Sequence, residues 1–206
     1  MTFQYNIKAI PTTYAGVNFR SRLEARWAAF FDLCGWEWDY EPFDLEGWAP
    51  DFLLSFGDGN VLAEVKPVDL NELTRAAFAG GDTLIDMSEY AKATDYASRY
   101  AVLCLGLAPI DLFPPAPVGV IPSSLPEGVS ARQLEGMMDC LTVSRGVRRG
   151  SGEIITSEQA WRLAGSMTQW SHSSAHESPR YEEPAINIRY LLRRAAERAA
   201  KERSAA

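Results

Sequence analysis

The sequence predicts an α/β fold in which one helix, three strands and a helical crossover lead to a fourth strand of a mixed sheet. Three observations carry this. Residues 21–35, SRLEARWAAFFDLCG, set Leu23, Trp27, Phe30, Phe31 and Cys34 on one helical stripe. Residues 51–56 and 61–66 are apolar-patterned runs flanking GDGN, a hairpin signal. Two helical patterns then separate that hairpin from the apolar run YAVLCLG at 100–106, so this last strand is expected to lie parallel to one already in the sheet.

Taken in order, the first helix is expected to start with an S-x-x-E capping box, Ser21 to Glu24, and to stop at Gly35. WEWDY, residues 36–40, alternates aromatics with acids as a half-buried strand does, and Pro42 ends it. After the hairpin, Asp69 is the expected cap of a helix with Glu72 in its first turn and Gly80-Gly81 at its end. A second helix is expected over about 86–99.

The character changes after Gly106. Six of the 12 prolines fall between 106 and 130, around a short candidate strand at 118–121. The expected organisation is a core domain at 1–106, a Pro-rich connecting segment at 107–130 and a helical, net basic region at 131–206. In the last region we expect a weak helix at 131–141, a basic loop SRGVRRGSG, a capped helix at about 157–170 and an Arg-rich helix at 184–203.

Composition narrows the function. The chain has a net charge of −7, but residues 142–206 carry a net +4 and residues 1–141 a net −11. An acidic body with a basic end is compatible with a polyanionic partner, and equally with two solvated surfaces. Cys34, Cys104 and Cys140 form no C-x-x-C pair, so neither a structural zinc nor a disulfide framework is expected. The beginning MTFQYNIKAI has no signal-peptide pattern, and no apolar run approaches 18 residues, so a cytoplasmic protein without membrane contact is expected.

The hairpin is where chemistry gathers. A loop of two residues (Asp58, Gly59) or of four gives one register, with Phe56 opposite Val61, Leu54 opposite Ala63 and Phe52 opposite Val65. That apolar face is driven into the core. On the other face Asp51 opposes Lys66, Leu53 opposes Glu64, and the two carboxylates meet on the diagonal about 7 Å apart. Such a pair can share a divalent cation, because Mg²⁺ is held by one or two carboxylates plus phosphate oxygens and water. A neighbouring lysine can serve a water or neutralise developing charge. Glu24 lies roughly 75° from the centre of the helix stripe, at the border of the surface that packs on the sheet. Simpler accounts fit each residue alone: a capping acid for Glu24, a cross-strand ion pair for Asp51 and Lys66, a wet sheet face for Glu64.

Together, FRSRLEARWAAFF, WEWDYEPF and WAPDFLLSFGDGNVLAEVKP resemble the core motif of the PD-(D/E)XK nuclease superfamily. Pro50-Asp51 stands as PD and Glu64-Val65-Lys66 as E-x-K. The chain is most similar to phage-type, junction-resolving endonuclease I and related phage-encoded nucleases, over about residues 15–68. The resemblance implies a restriction-endonuclease-like core and a Mg²⁺-dependent deoxyribonuclease in which Mn²⁺ substitutes. It implies that Asp51, Glu64 and the Val65 carbonyl hold the metal. It also implies that Lys66 serves the attacking water and that Glu24 binds a second metal or a metal-bound water. DNA, with branched DNA among the candidates, is the expected partner, and cutting both strands needs two sites, which a homodimer would supply.

Arg20, Ser21, Arg22 and Arg26 flank the helix start, where free N–H groups also favour phosphate, and are candidates for backbone contacts. Arg145, Arg148, Arg149, Arg189, Arg193, Arg194 and Arg198 could extend the footprint, although helix surfaces commonly carry arginine. His172 and His176 are expected to be solvated. Two rival functions stay open: the endonuclease subunit of a heteromeric transposase, and a non-catalytic nucleic-acid-binding or phage assembly protein retaining the fold.

Overall fold

The computed structural model describes residues 9–56, 59–80, 87–110, 118–122, 147–148 and 154–169. The expected helices at 131–141 and 184–203, most of the basic loop and both histidines lie outside the described residues. Ahead of the first helix comes a hairpin that the sequence reading missed. Strand β1 (Thr12–Tyr14) pairs antiparallel with β2 (Val17–Phe19). Ala15 and Gly16 join them with φ of 48° and 78°, the two left-handed residues of a type I′ turn.

Helix α1 (Arg22–Cys34) begins and ends by side-chain chemistry. The Ser21 hydroxyl accepts from the Glu24 N–H, which satisfies one of the free donors of the first turn. At the other end Gly35 takes a left-handed φ of 71°, its N–H donates to the Asp32 carbonyl and the Trp36 N–H to the Phe31 carbonyl. These are the two bonds of a Schellman ending, and the apolar contact that accompanies it is the Trp36 ring stacked on Phe31 at 5.7 Å.

Four strands form a mixed sheet in the order β3 (Glu37–Tyr40), β4 (Phe52–Phe56), β5 (Gly59–Val65), β6 (Val102–Leu105). The first three are antiparallel neighbours and β6 runs parallel to β5, as the crossover requires. The crossover contains α2 (Leu70–Gly80), capped by Asp69, whose carboxylate accepts from the Glu72 N–H. The single helix expected over 86–99 is instead a short 3₁₀ turn (Ser88–Tyr90), one turn of α3 (Ala91–Thr94) and further turns, with the Tyr90 and Tyr96 rings buried beneath the sheet.

The register of the β4–β5 hairpin differs from expectation by two residues. Phe56 pairs with Gly59, Leu54 with Val61 and Phe52 with Ala63. A slip of two preserves every face, because side chains alternate with period two. It changes the partners: one step further along the same register, Asp51 faces Glu64 directly, not Lys66.

Both faces of the sheet are covered. On one side Phe52, Leu54, Val61, Ala63, Val65, Leu103 and Leu105 pack with Trp27, Phe30 and Phe31 of α1. On the other, Leu62, Val102 and Cys104 meet Trp48, Leu70, Tyr90 and Ala93. Beyond residue 106 the core continues. Val120 bridges to Cys104, β7 (Val147–Arg148) pairs with β8 (Ile154–Ile155), and α4 (Ser157–Met167) packs along α1. A capping box formed by Thr156 and Gln159 starts α4, and its Trp161 lies 4.6 Å from the Trp27 ring. This explains why α1 is buried almost all round from Glu24 to Phe31, where one apolar stripe was expected. Among the described residues no helix is long and apolar enough to cross a membrane.

Candidate functional site

At one end of the sheet, three carboxylates from three elements are buried together: Glu24 of α1 at 8 % exposure, Asp51 before β4 at 3 % and Glu64 of β5 at 7 %. Carboxylates are almost never buried unless paired, and each oxygen here has a partner. Asp51 accepts from the Val65 N–H at 2.8 Å and pairs with the Arg20 guanidinium. Glu64 accepts from the Trp48 indole N–H at 2.8 Å and from the Lys66 ammonium at 2.5 Å. Glu24 accepts from the Ser21 hydroxyl at 2.8 Å and from the Tyr40 hydroxyl at 2.5 Å.

The geometry corrects several expectations. The face carrying Glu64 is dry, because Trp48 and the crossover helices cover it. The Glu24 carboxylate is turned to hydroxyls on either side, one of them on β3, and so does more than cap its own helix. Lys66, just past the end of β5, pairs with Glu64 two residues earlier and not across the hairpin with Asp51. The Val65 N–H donates to Asp51.

The four candidates for phosphate contact divide. Arg20, over half exposed, is the hub of the site: it reaches Asp51, Glu41 at 3.0 Å and the Tyr40 hydroxyl at 3.3 Å, and lies 4.0 Å from Glu24. Ser21 is committed to the helix cap, and Arg22 is exposed. Arg26 is turned away from solvent: its guanidinium lies 4.0 Å over the Trp161 ring and donates to the Trp161 carbonyl. It is a packing residue between α1 and α4, and burial lowers its pKa.

Tyr40 and Trp48 are site residues that sequence reasoning missed. Tyr40 links Arg20 to Glu24: the Arg20 N–H donates to its hydroxyl, which donates to the acid. Burial, then the bond to Glu24, raises its pKa and keeps that proton in place. Both residues stand inside quoted motifs, WEWDYEPF and WAPDF, but as aromatics they read as core.

Burial pushes the Asp51 carboxyl up to about 7, with Glu64 the next cause and Glu24 adding to it, against the lowering by the Val65 N–H and Arg20. A folded-state pKa above the unfolded value of about 4 means that this stability is fully present below pH 4 and is lost as pH rises through 7. In a chelator, the unfolding free energy should therefore fall by an amount on the order of a few kcal/mol as pH rises from about 4 to 7. Asp51→Asn should flatten that slope; an unchanged slope would place its cause elsewhere.

The donor set fits a small hard cation. Among the described residues no three His, Cys, Asp or Glu side chains are gathered closely enough to cage a metal by themselves. Asp51 and Glu64, facing each other on adjacent strands, offer two carboxylates, and Mg²⁺ needs no more than one or two besides water and substrate oxygens. A divalent cation between them would offset the burial and the repulsion from Glu64 that raise Asp51. No family model, curated protein or solved structure matches the chain.

Proposed function

We propose that the protein is a Mg²⁺-dependent endonuclease that hydrolyses DNA phosphodiesters on a restriction-endonuclease-like core, of phage or mobile-element type. The observation that carries the reading is the convergence of the buried Glu24, Asp51 and Glu64, from α1, the start of β4 and the end of β5, with Lys66 at the rim. The order α-β-β-β-α-β, with its parallel last pair, supports it. Asp51 and Glu64 would hold the cation, which supplies charge for the phosphate and acidifies a water. Lys66, one-third exposed at the rim, would meet that water or the developing phosphorane charge. Arg20 would exchange Asp51 for a DNA phosphate, and Arg22 adds an exposed charge beside it.

A second reading draws on the same ion pairs. Arg20 on Asp51 and Lys66 on Glu64 also satisfy a charge-balanced, non-catalytic site. One assay separates the two: linear, supercoiled, single-stranded and branched DNA, with Mg²⁺, Mn²⁺ or EDTA. The nuclease reading expects metal-dependent cleavage, lowered at least about a hundredfold in Lys66→Ala by loss of its proton-transfer or charge role. Intact DNA under all metal conditions would sink it, and cutting confined to branched substrates would favour a junction-resolving enzyme.

A further inference from the structure

Asp51 and Glu64 are held in the same two-sided way. Each gives one oxygen to an uncharged N–H fixed in the core and the other to a cation reaching in from the surface. For Asp51 the fixed donor is the Val65 backbone N–H and the cation is Arg20. For Glu64 the fixed donor is the Trp48 indole N–H and the cation is Lys66.

Trp48 is itself held almost as firmly as backbone. It is 5 % exposed. Its N–H and carbonyl exchange bonds with those of Leu45 at 3.2 and 2.8 Å. Its ring lies 5.5 Å from that of Tyr96, whose hydroxyl donates to the Glu46 carbonyl of the same loop. The cations are different. The Arg20 side chain is 57 % exposed and that of Lys66 35 %, so both can swing away. An uncharged donor orients a carboxylate without competing with a metal for it, whereas a lysine competes.

We propose that Trp48 is a positioning residue: its indole N–H fixes the Glu64 carboxylate so that the other oxygen is presented to a divalent cation when Lys66 swings aside. The proposal rests on the metal-dependent reading above and deepens it. Trp48→Phe keeps an aromatic ring in the pocket and removes the donor together with part of the indole volume.

Calorimetric titration of Mn²⁺ into the full chain without DNA should show about a tenfold or greater weakening in Trp48→Phe. Saturating Mn²⁺ should then return much of the turnover. Tyr96→Phe, which perturbs the loop and leaves the indole N–H in place, should bind Mn²⁺ much as the unaltered chain does. Equal Mn²⁺ affinity in Trp48→Phe and the unaltered chain would overturn the role of Trp48 alone. If the unaltered chain binds no Mn²⁺, the metal reading falls and this proposal with it. Should Trp48→Phe fail to fold, the six indole N–H signals of the chain decide: Glu64→Gln should shift one of them in the ¹⁵N–¹H spectrum, and no shift overturns the contact.

Discussion

Asp51→Asn should abolish cleavage and at the same time stabilise the metal-free protein near pH 8. The two effects have one cause. The Asp51 carboxylate is buried opposite Glu64 and near Glu24, so its charge is costly in the empty site and useful only when a cation offsets it. If Asp51 holds the cation as proposed, its removal would cost several kcal/mol of transition-state stabilisation, or a rate loss of about 10³ or more. The same change removes a like-charge repulsion, and should raise the melting temperature in EDTA by a few degrees, since about 1 kcal/mol moves a chain of this size by roughly 2–4 °C. Mg²⁺ should narrow the gap by stabilising only the unaltered chain. Retained cleavage would move the active site elsewhere. A lower melting temperature at pH 8 would mean that the Arg20 pairing outweighs the repulsion.

Trp161→Ala should destabilise the protein by about 3–5 kcal/mol, the cost of emptying a large aromatic site. The ring is 7 % exposed and lies 4.6 Å from Trp27 and 5.9 Å from Phe30, with the Arg26 guanidinium on its face. Its loss would open a cavity against α1 and strand Arg26 over it. Because α1 also carries Glu24, cleavage should fall along with stability, although residue 161 is far from the acids in sequence. Chemical denaturation gives the measure. A change below about 1 kcal/mol would show that α4 docks loosely on α1, against the burial of Ala160 and Ala164 beside it.

How much of this was legible in the sequence follows from what each residue's pattern can encode. The element order, the parallel sense of β6 and the two ends of α1 were readable, because periodicity, capping and crossover length are signals the sequence carries. The hairpin faces were readable too, but the register was not: Phe52, Leu54 and Phe56 find apolar or glycine partners in either of two pairings that differ by two residues. Only the loop decides between them. The β1–β2 hairpin was missed because its turn is Ala15-Gly16, and alanine seldom takes a positive φ. Arg26 was assigned to DNA because a charged residue near a helix start looks exposed until α4 is known to cover it. Tyr40 and Trp48 were hidden because an aromatic in a strand or beside one is usually packing, and their polar atoms act only through acids distant in the chain.

The hairpin that brings the acids together also sets an order of events in time. Asp51 and Glu64 are thirteen residues apart in the chain and meet when β4 and β5 close across two intervening residues. Hairpins of this kind form in about 1–10 μs. The relief of their repulsion by Arg20 spans 31 residues, and the seal of α4 on Arg26 spans 135. Such long closures come late because their loop entropy is high. Asp51 therefore meets Glu64, which has Lys66 beside it, before its own counter-ion Arg20 arrives, so the rate of folding, and not the final stability alone, should rise as Asp51 is protonated.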